Sequence, residues 1–159
     1  MRYLRRFSEF LFSTFLRLDW VSRAVAPDER TSRYIFDKKQ FDEAKRIVKY
    51  AAFMPSKKTG DISVYRTAHC REWRVWGLGE YFVARRRPDK VLLLARGDVA
   101  ARAFVQQGLS VVAKPEPHPR HAAAANWPSD KAEQRIKAIA VAQEALLLVK
   151  PLAPKGNTV

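Results

Sequence analysis

Apolar and polar positions alternate along this chain with two different periods. Over residues 3 to 18, Tyr3, Leu4, Phe7, Phe10, Leu11, Phe15 and Leu18 recur at spacings of three and four, the pattern of one apolar helix face. Phe12 and Leu16 fall off that face and widen the apolar arc. The pattern breaks at APDERTSR (25–32), where Pro27 and a charged cluster mark a boundary. The sequence therefore predicts an N-terminal amphipathic helix over 1–24, a linker over 25–32, a compact domain over 33–150 and a flexible tail over 151–159.

Inside the domain the signals change from segment to segment. Asp37 suits a helix cap ahead of Phe41, Ala44 and Ile47 or Val48, whereas IVKYAAFM suits an extended segment, and Pro55 ends either one. SKKTGD, with Gly60, is a turn. ISVYRT (62–67) alternates and is rich in strand formers, so it predicts a strand with Arg66 on the face of Ile62 and Val64. A helix is predicted from about His69 to Trp76, ended or kinked by Gly77 and Gly79. The apolar run VLLLARG (91–97) reads as a strand, followed by Asp98 as N-cap, VAARAFVQQ (99–107) as helix, Gly108 as helix stop and LSVVA (109–113) as strand. Ser129 as N-cap, Asp130 in the first turn and Pro151 as terminator frame a last helix of about 20 residues, with Ile136, Ile139, Ala140, Leu146 and Leu147 on one side. The fold class that follows is α+β: a single small domain with a short mixed sheet covered by helices, a long C-terminal helix and a separate N-terminal amphipathic helix.

Charge changes the functional picture more than the fold. The 159 residues carry 30 Lys+Arg against 16 Asp+Glu, a net charge of +14, and packing a core demands no particular sign. Residues 1–60 hold 14 basic and 7 acidic side chains, 61–90 hold 7 and 4, and 91–159 hold 9 and 5, so the excess is +7, +3 and +4 and no detached basic tail accounts for it. An acidic partner is implied, nucleic acid first, because Lys and Arg neutralise phosphates. An anionic membrane surface comes second. The apolar run Phe10–Leu16 is closed by Arg17 and Asp19, too short for a span and poorly matched to a secretory signal. Cys70 is the sole cysteine, which excludes an internal disulfide and a multi-thiolate zinc site and fits a reducing, cytoplasmic setting. A metal would have to draw on His69, His118 and His121 with a carboxylate. The expectation is no metal and no cofactor.

Candidate chemistry gathers in three places. Arg66, if its face is the inner one, is a guanidinium that needs a partner or an anionic ligand; at the strand's end, its stem can instead cover apolar surface while the charge reaches water. Arg71 and Arg74 interleave with Trp73 and Trp76, as in surfaces that stack bases and hold phosphates, although an amphipathic core helix has the same pattern. ARRRPDK (84–90) is the densest cationic run, and Arg85, Arg86 and Arg87 are the first phosphate contacts to expect. The third place is HPRHAAAANWP (118–128). Pro115, Pro117 and Pro119 restrict the residues before them to extended conformations. A polyproline II approach would point His118 and His121 the same way, about 9 Å apart at 3.1 Å per residue, too far for one metal and suited to flanking a phosphate. A stiff connector with exposed imidazoles is the plainer alternative.

The order of SVYR, a tryptophan helix with LGE, QGLSVV, then HPRHA, NWP and a helix of A-x-A-x-E-A type resembles a family of small bacterial proteins with no established activity. The resemblance spans about residues 31–149 and picks out Tyr65, Arg66, His121, Trp127 and Pro128; it implies a bacterial cytoplasmic origin and no catalytic assignment. VYR is also similar to the first strand of ADP-ribosyltransferase-type domains, where an arginine or histidine contacts the dinucleotide. Glu133 and Glu144 are no convincing match for the glutamate that resemblance requires.

Three readings follow. The first is a nucleic-acid or phosphate-binding module using Arg71, Arg74, Arg85, Arg86 and Arg87 with Trp73 or Trp76 stacking. The second is a small enzyme on a nucleotide or phosphorylated substrate, with Arg66 as anion anchor and His121, helped by His118, as general acid or base. The third is a subunit that docks on a protein partner through residues 3–18.

Overall fold

The computed structural model describes residues 19–89 and 91–151, together with Leu11, Thr14 and Phe15. Most of the predicted N-terminal helix, including Tyr3, Leu4, Phe7, Phe10 and Leu18, and nearly all of the predicted tail lie outside the described residues.

Arg30–Ile35 forms β1 in the middle of the main sheet, so residues 30–32, expected in a linker, belong to the core. The strand is buried on both faces, with Thr31, Ser32, Tyr34 and Ile35 all inside, so no period-two pattern announces it. A small hairpin of β2 (Phe41–Asp42) and β3 (Ile47–Val48) follows, in place of a helix over 37–48. Asp37 does cap a turn, accepting from the Lys39 amide at 2.8 Å, but that turn is a single 3-10 turn, Lys38–Gln40. A second 3-10 turn, Tyr50–Phe53, carries the fully buried Phe53. β4 (Ile62–Arg66) is the strand the alternation predicted.

Helix α1 (Glu72–Leu78) starts three residues later than expected and runs on through Gly77 into a π-turn at Gly79–Val83 and a 3-10 turn at Ala84–Arg86. The glycines do not end the helix, and Gly79 lets the segment lie close to the sheet. A Cβ built on Gly79 would sit 2.7 Å from the Tyr34 ring and 2.8 Å from Leu93 Cδ2.

β5 (Ala95–Ala100) extends past the expected end of its strand, and α2 (Ala101–Val105) is shorter than predicted. Asp98 is therefore a buried strand residue rather than a helix cap. β6 (Ser110–Ala113) and β7 (His121–Ala125) pair as a hairpin across the proline-rich loop, with Ala113 opposite Ala122. α3 (Lys131–Glu144) is capped by Asp130, whose carboxylate accepts from the Glu133 amide at 2.8 Å. It stops at Ala145, and LLLV becomes β8 (Leu146–Val149). The expected 20-residue helix thus contains a strand, as a run of three leucines and a valine suits either state.

The strand order is β6-β7-β4-β1-β5-β8. Every neighbouring pair is antiparallel, so the fold is α+β with an antiparallel rather than a mixed sheet. One face carries Ile35, Val64, Ala95, Val99, Ala122 and Ala124 and is covered by Phe53, Phe104 and the Ala138–Val141 side of α3. The alanines of β7 are small enough to be buried beneath that layer, which overrides their poor strand propensity. The opposite face carries Tyr34 and Tyr65 beneath Leu78 and Phe82 of the α1 segment. Among the described residues no helix is long and apolar enough to cross a membrane.

Candidate functional site

Strand alternation separates the two residues on which the enzyme reading depended. Tyr65 stands opposite His121 in the β4–β7 register, so His121 shares the face of Tyr65 and Ser63, while Arg66 points to the other face with Ile62 and Val64. Arg66 is 2% exposed and engaged through all three of its nitrogens. Its Nε donates to Glu29 Oε1 at 2.7 Å, its Nη2 donates to Glu29 Oε2 at 2.8 Å and to the Ala24 carbonyl at 2.9 Å, and its Nη1 donates to the Ser22 carbonyl. The guanidinium is an anchor for residues 22–29 and not a free anion receptor. Arg120 works beside it: Asp19 receives both Arg120, in a two-oxygen ion pair, and Arg74 Nη2 at 2.9 Å.

Arg74 is thus engaged in the same clasp. Trp76 is engaged as well, with the Arg96 guanidinium 4.4 Å from its ring. The alternation of tryptophan and arginine in α1 therefore serves the core as much as a surface, leaving Arg71 exposed and Trp73 45% exposed. Arg71 and Trp73 at the start of the helical segment and Arg85, Arg86 and Arg87 at its end form two separate cationic regions.

A buried polar network beneath α1 escaped the sequence reading. Arg96, fully buried, donates from Nε to Asp98 Oδ1 at 3.0 Å and from Nη2 to Glu72 Oε1 at 2.7 Å. Asp98 also accepts from Ser32 Oγ at 2.5 Å, and Ser32 lies 2.8 Å from Thr67 Oγ1. The available signal was Arg96 and Asp98 at a spacing of two within a strand, which puts both on one face. The bonds with Arg96 hold the Glu72 carboxyl below the usual glutamate range.

His118 and His121 share a face but not an environment. His118 is fully buried, 4.6 Å from the Phe82 ring and 6.5 Å from the Tyr65 ring between centroids, and its Nδ1 accepts from the Arg120 amide at 3.1 Å. It is a core residue that shapes the hairpin loop, and the expectation of two exposed imidazoles is corrected here. His121 is half-buried and opens onto a groove of about 390 Å³ lined by Ser63, Tyr65, Phe82, Arg86, Arg87 and Pro117, among others. Its Nδ1 is 2.7 Å from the Lys114 carbonyl and its Nε2 is 2.7 Å from Ser63 Oγ. A carbonyl only accepts, so in the neutral ring Nδ1 carries the proton and Nε2 accepts from the Ser63 hydroxyl. Burial pushes the imidazole pKa below its ordinary value and the Lys114 charge acts the same way, against backbone bonds at Lys114 and Glu116 that raise it.

The cationic run meets this groove. Arg85 stacks on Tyr81, 4.0 Å from the ring centroid, and Arg87 forms a two-oxygen pair with Asp89 at 3.1 and 2.8 Å while lying over Phe36 at 4.6 Å. Arg86 is exposed and has no hydrogen-bond or ion-pair partner among the described residues. The Tyr65 phenol is pushed well above its ordinary pKa by burial, against the opposing positive charge of Arg86, so it stays a neutral donor. A second groove of about 780 Å³, lined by Arg33, Tyr34, Lys38 and Leu94, shares Ser63, Val83, Arg87 and Asp89 with the first. Ser63 stands where the two meet. Among the described residues no group of three or more His, Cys, Asp or Glu is placed to hold a metal ion.

No protein-family model, curated protein or solved structure gives a significant match to the chain.

Proposed function

We propose that this chain binds phosphate-bearing polyanions, nucleic acid foremost, along the groove between β4, β7 and the 82–89 segment. The observation that carries the reading is the convergence of Arg86, with Arg87 beside it, on a groove floored by Ser63, Tyr65 and His121. Lys38 and Arg33 extend cationic lining into the adjoining groove. The lining holds four cations, Arg33, Lys38, Arg86 and Arg87, against Asp37 and Asp89, and the whole chain is at +14. Such a surface attracts a phosphate backbone from a distance and holds it through charge-assisted bonds. Exposed Arg71 and Trp73, the latter 45% exposed, offer a second contact of the arginine-and-aromatic kind at the other end of the helical segment. Arg66 has no part in this reading, since Glu29 occupies it.

The test is fluorescence anisotropy with a labelled single-stranded oligonucleotide, titrated at several salt concentrations. Binding should weaken steeply with salt, because each neutralised phosphate releases counterions. Absence of binding at about 50 mM salt, or binding indifferent to salt, would remove the reading.

A further inference from the structure

Ser63, His121 and the Lys114 carbonyl form an ordered chain of three groups: hydroxyl, imidazole, backbone acceptor. The Lys114 carbonyl fixes the proton on Nδ1, which leaves Nε2 as the acceptor of the Ser63 proton at 2.7 Å. This is the relation of nucleophile, base and orienting group, with a main-chain carbonyl where other such sites carry a carboxylate. Ser63 is exposed at the junction of the two grooves, so an electrophile can reach its oxygen. Tyr65 stands directly opposite His121 on β4, two residues from Ser63 on the same face, its ring centroid 5.4 Å from that of His121, and its hydroxyl makes no hydrogen bond among the described residues. The groove therefore offers a nucleophile, a base and an unspent donor within one wall.

We propose that Ser63 is a nucleophile toward carboxylic esters, with His121 as its general base, the Lys114 carbonyl as the orienting group and the Tyr65 hydroxyl as donor to the developing oxyanion. The Ser63 oxygen adds to the ester carbonyl carbon as its proton passes to His121 Nε2, and the carbonyl π pair moves onto the oxygen that faces Tyr65. Collapse expels the alkoxide, which takes the proton from His121. Water, deprotonated by the same Nε2, then attacks the acyl-Ser63 ester; collapse releases the carboxylic acid and returns the proton to Ser63. The net reaction is ester plus water to acid plus alcohol, with no oxidant or reductant. Arg86 in the same groove favours an ester whose alcohol carries a phosphate; that preference alone rests on the phosphate-binding reading, and the ester chemistry does not.

The experiment treats the full-length protein with a fluorophosphonate probe and locates the adduct by peptide mass spectrometry. A single adduct on Ser63 is expected, absent in Ser63→Ala and formed at least tenfold more slowly in His121→Gln, whose fold is checked by circular dichroism. On the wild-type protein the labelling rate should be flat above neutral pH and fall as pH drops through the His121 titration. Hydrolysis of 4-acetoxyphenyl phosphate should exceed that of phenyl acetate in kcat/KM by about tenfold, which is about 1.4 kcal/mol. No adduct on Ser63, equal labelling in His121→Gln, or a rate that simply tracks hydroxide would overturn the dyad. Oligonucleotide anisotropy on the same wild-type sample separates the two ideas: binding without an adduct removes the ester chemistry alone, and an adduct without binding removes the polyanion reading and the phosphate preference alone.

Discussion

Glu29 holds Arg66 through both carboxylate oxygens, at 2.7 and 2.8 Å, with the two side chains 12% and 3% exposed. Two surroundings are thus built into one strand: Arg66 closes the end of β4 on one sheet face while Tyr65, its neighbour, faces the groove on the other. Removing one partner of such a pair leaves a buried charge uncompensated, a loss of about 3–5 kcal/mol. Glu29→Ala is expected to lower the urea midpoint accordingly. Oligonucleotide affinity, measured where the variant is still folded, should stay within twofold of wild type, since neither Glu29 nor Arg66 lines the groove. Tighter binding by the variant would show that the freed Arg66 guanidinium can take a phosphate, and would restore it as an anion anchor.

Arg86 and Arg87 are adjacent in sequence and unequal in availability. Arg87 is held by Asp89 through two hydrogen bonds, whereas Arg86 is unpaired among the described residues. Arg86→Ala should reduce the slope of log affinity against log salt by about one and weaken binding uniformly across sequences. Arg87→Ala should have a smaller effect, because the Arg87 guanidinium already commits two of its donors to Asp89 and has fewer left for a phosphate. Equal effects of the two substitutions in the anisotropy titration would argue against Arg86 as the principal contact.

What the sequence disclosed and what it concealed have physical causes. Alternation in ISVYRT located β4 correctly, since five residues with one apolar face admit few other structures. APDERTSR and VLLLARGD misled because charged side chains that are buried in ion pairs look the same in sequence as charged side chains in water: Arg96, Asp98 and Arg66 each have a partner distant in the chain, Glu72, Ser32 and Glu29. HAAAA concealed a strand for the opposite reason, having side chains too small to declare a face. His121 stands out in the sequence for its company with Arg66; in the fold its register partner on β4 is Tyr65 and its hydrogen-bond partner is Ser63, unremarkable in sequence and placed on the diagonal of the antiparallel β4–β7 pair.

Gly79 shows how closely the α1 segment presses on the sheet that floors the groove. Its absent side chain is replaced by the Tyr34 ring and Leu93, with contacts of 2.7 and 2.8 Å awaiting any Cβ. Tyr34 cannot yield easily, since its hydroxyl donates to the Val75 carbonyl at 2.5 Å. Gly79→Ala gains helix propensity of about 1 kcal/mol at most and incurs an overpacking cost of about 1–3 kcal/mol. A net loss of stability is expected in urea denaturation, whereas an unchanged or higher midpoint would mean that the helix stands further from the sheet.

His121 should leave its mark on the pH dependence of stability. An imidazole in the unfolded chain titrates near its ordinary value of about 6.5, while in the fold burial holds His121 below its ordinary value. Between the two values the unfolded chain binds more protons than the folded one, so stability rises with pH across that window. The contribution is complete above about pH 6.5 and is lost as pH falls toward the lowered folded value. Glu72 acts in a separate window: its carboxyl is held below the usual glutamate range by Arg96, so its stabilisation is present above about pH 4.3 and is lost on further acidification. Thermal melts of wild type and His121→Gln from about pH 7 down to about pH 5 should therefore diverge. The wild type loses stability with acid and the glutamine variant, which still accepts from Ser63, loses less. Parallel curves over that interval would mean that His121 is protonated in the fold as readily as in the unfolded chain, against the lowering that burial imposes.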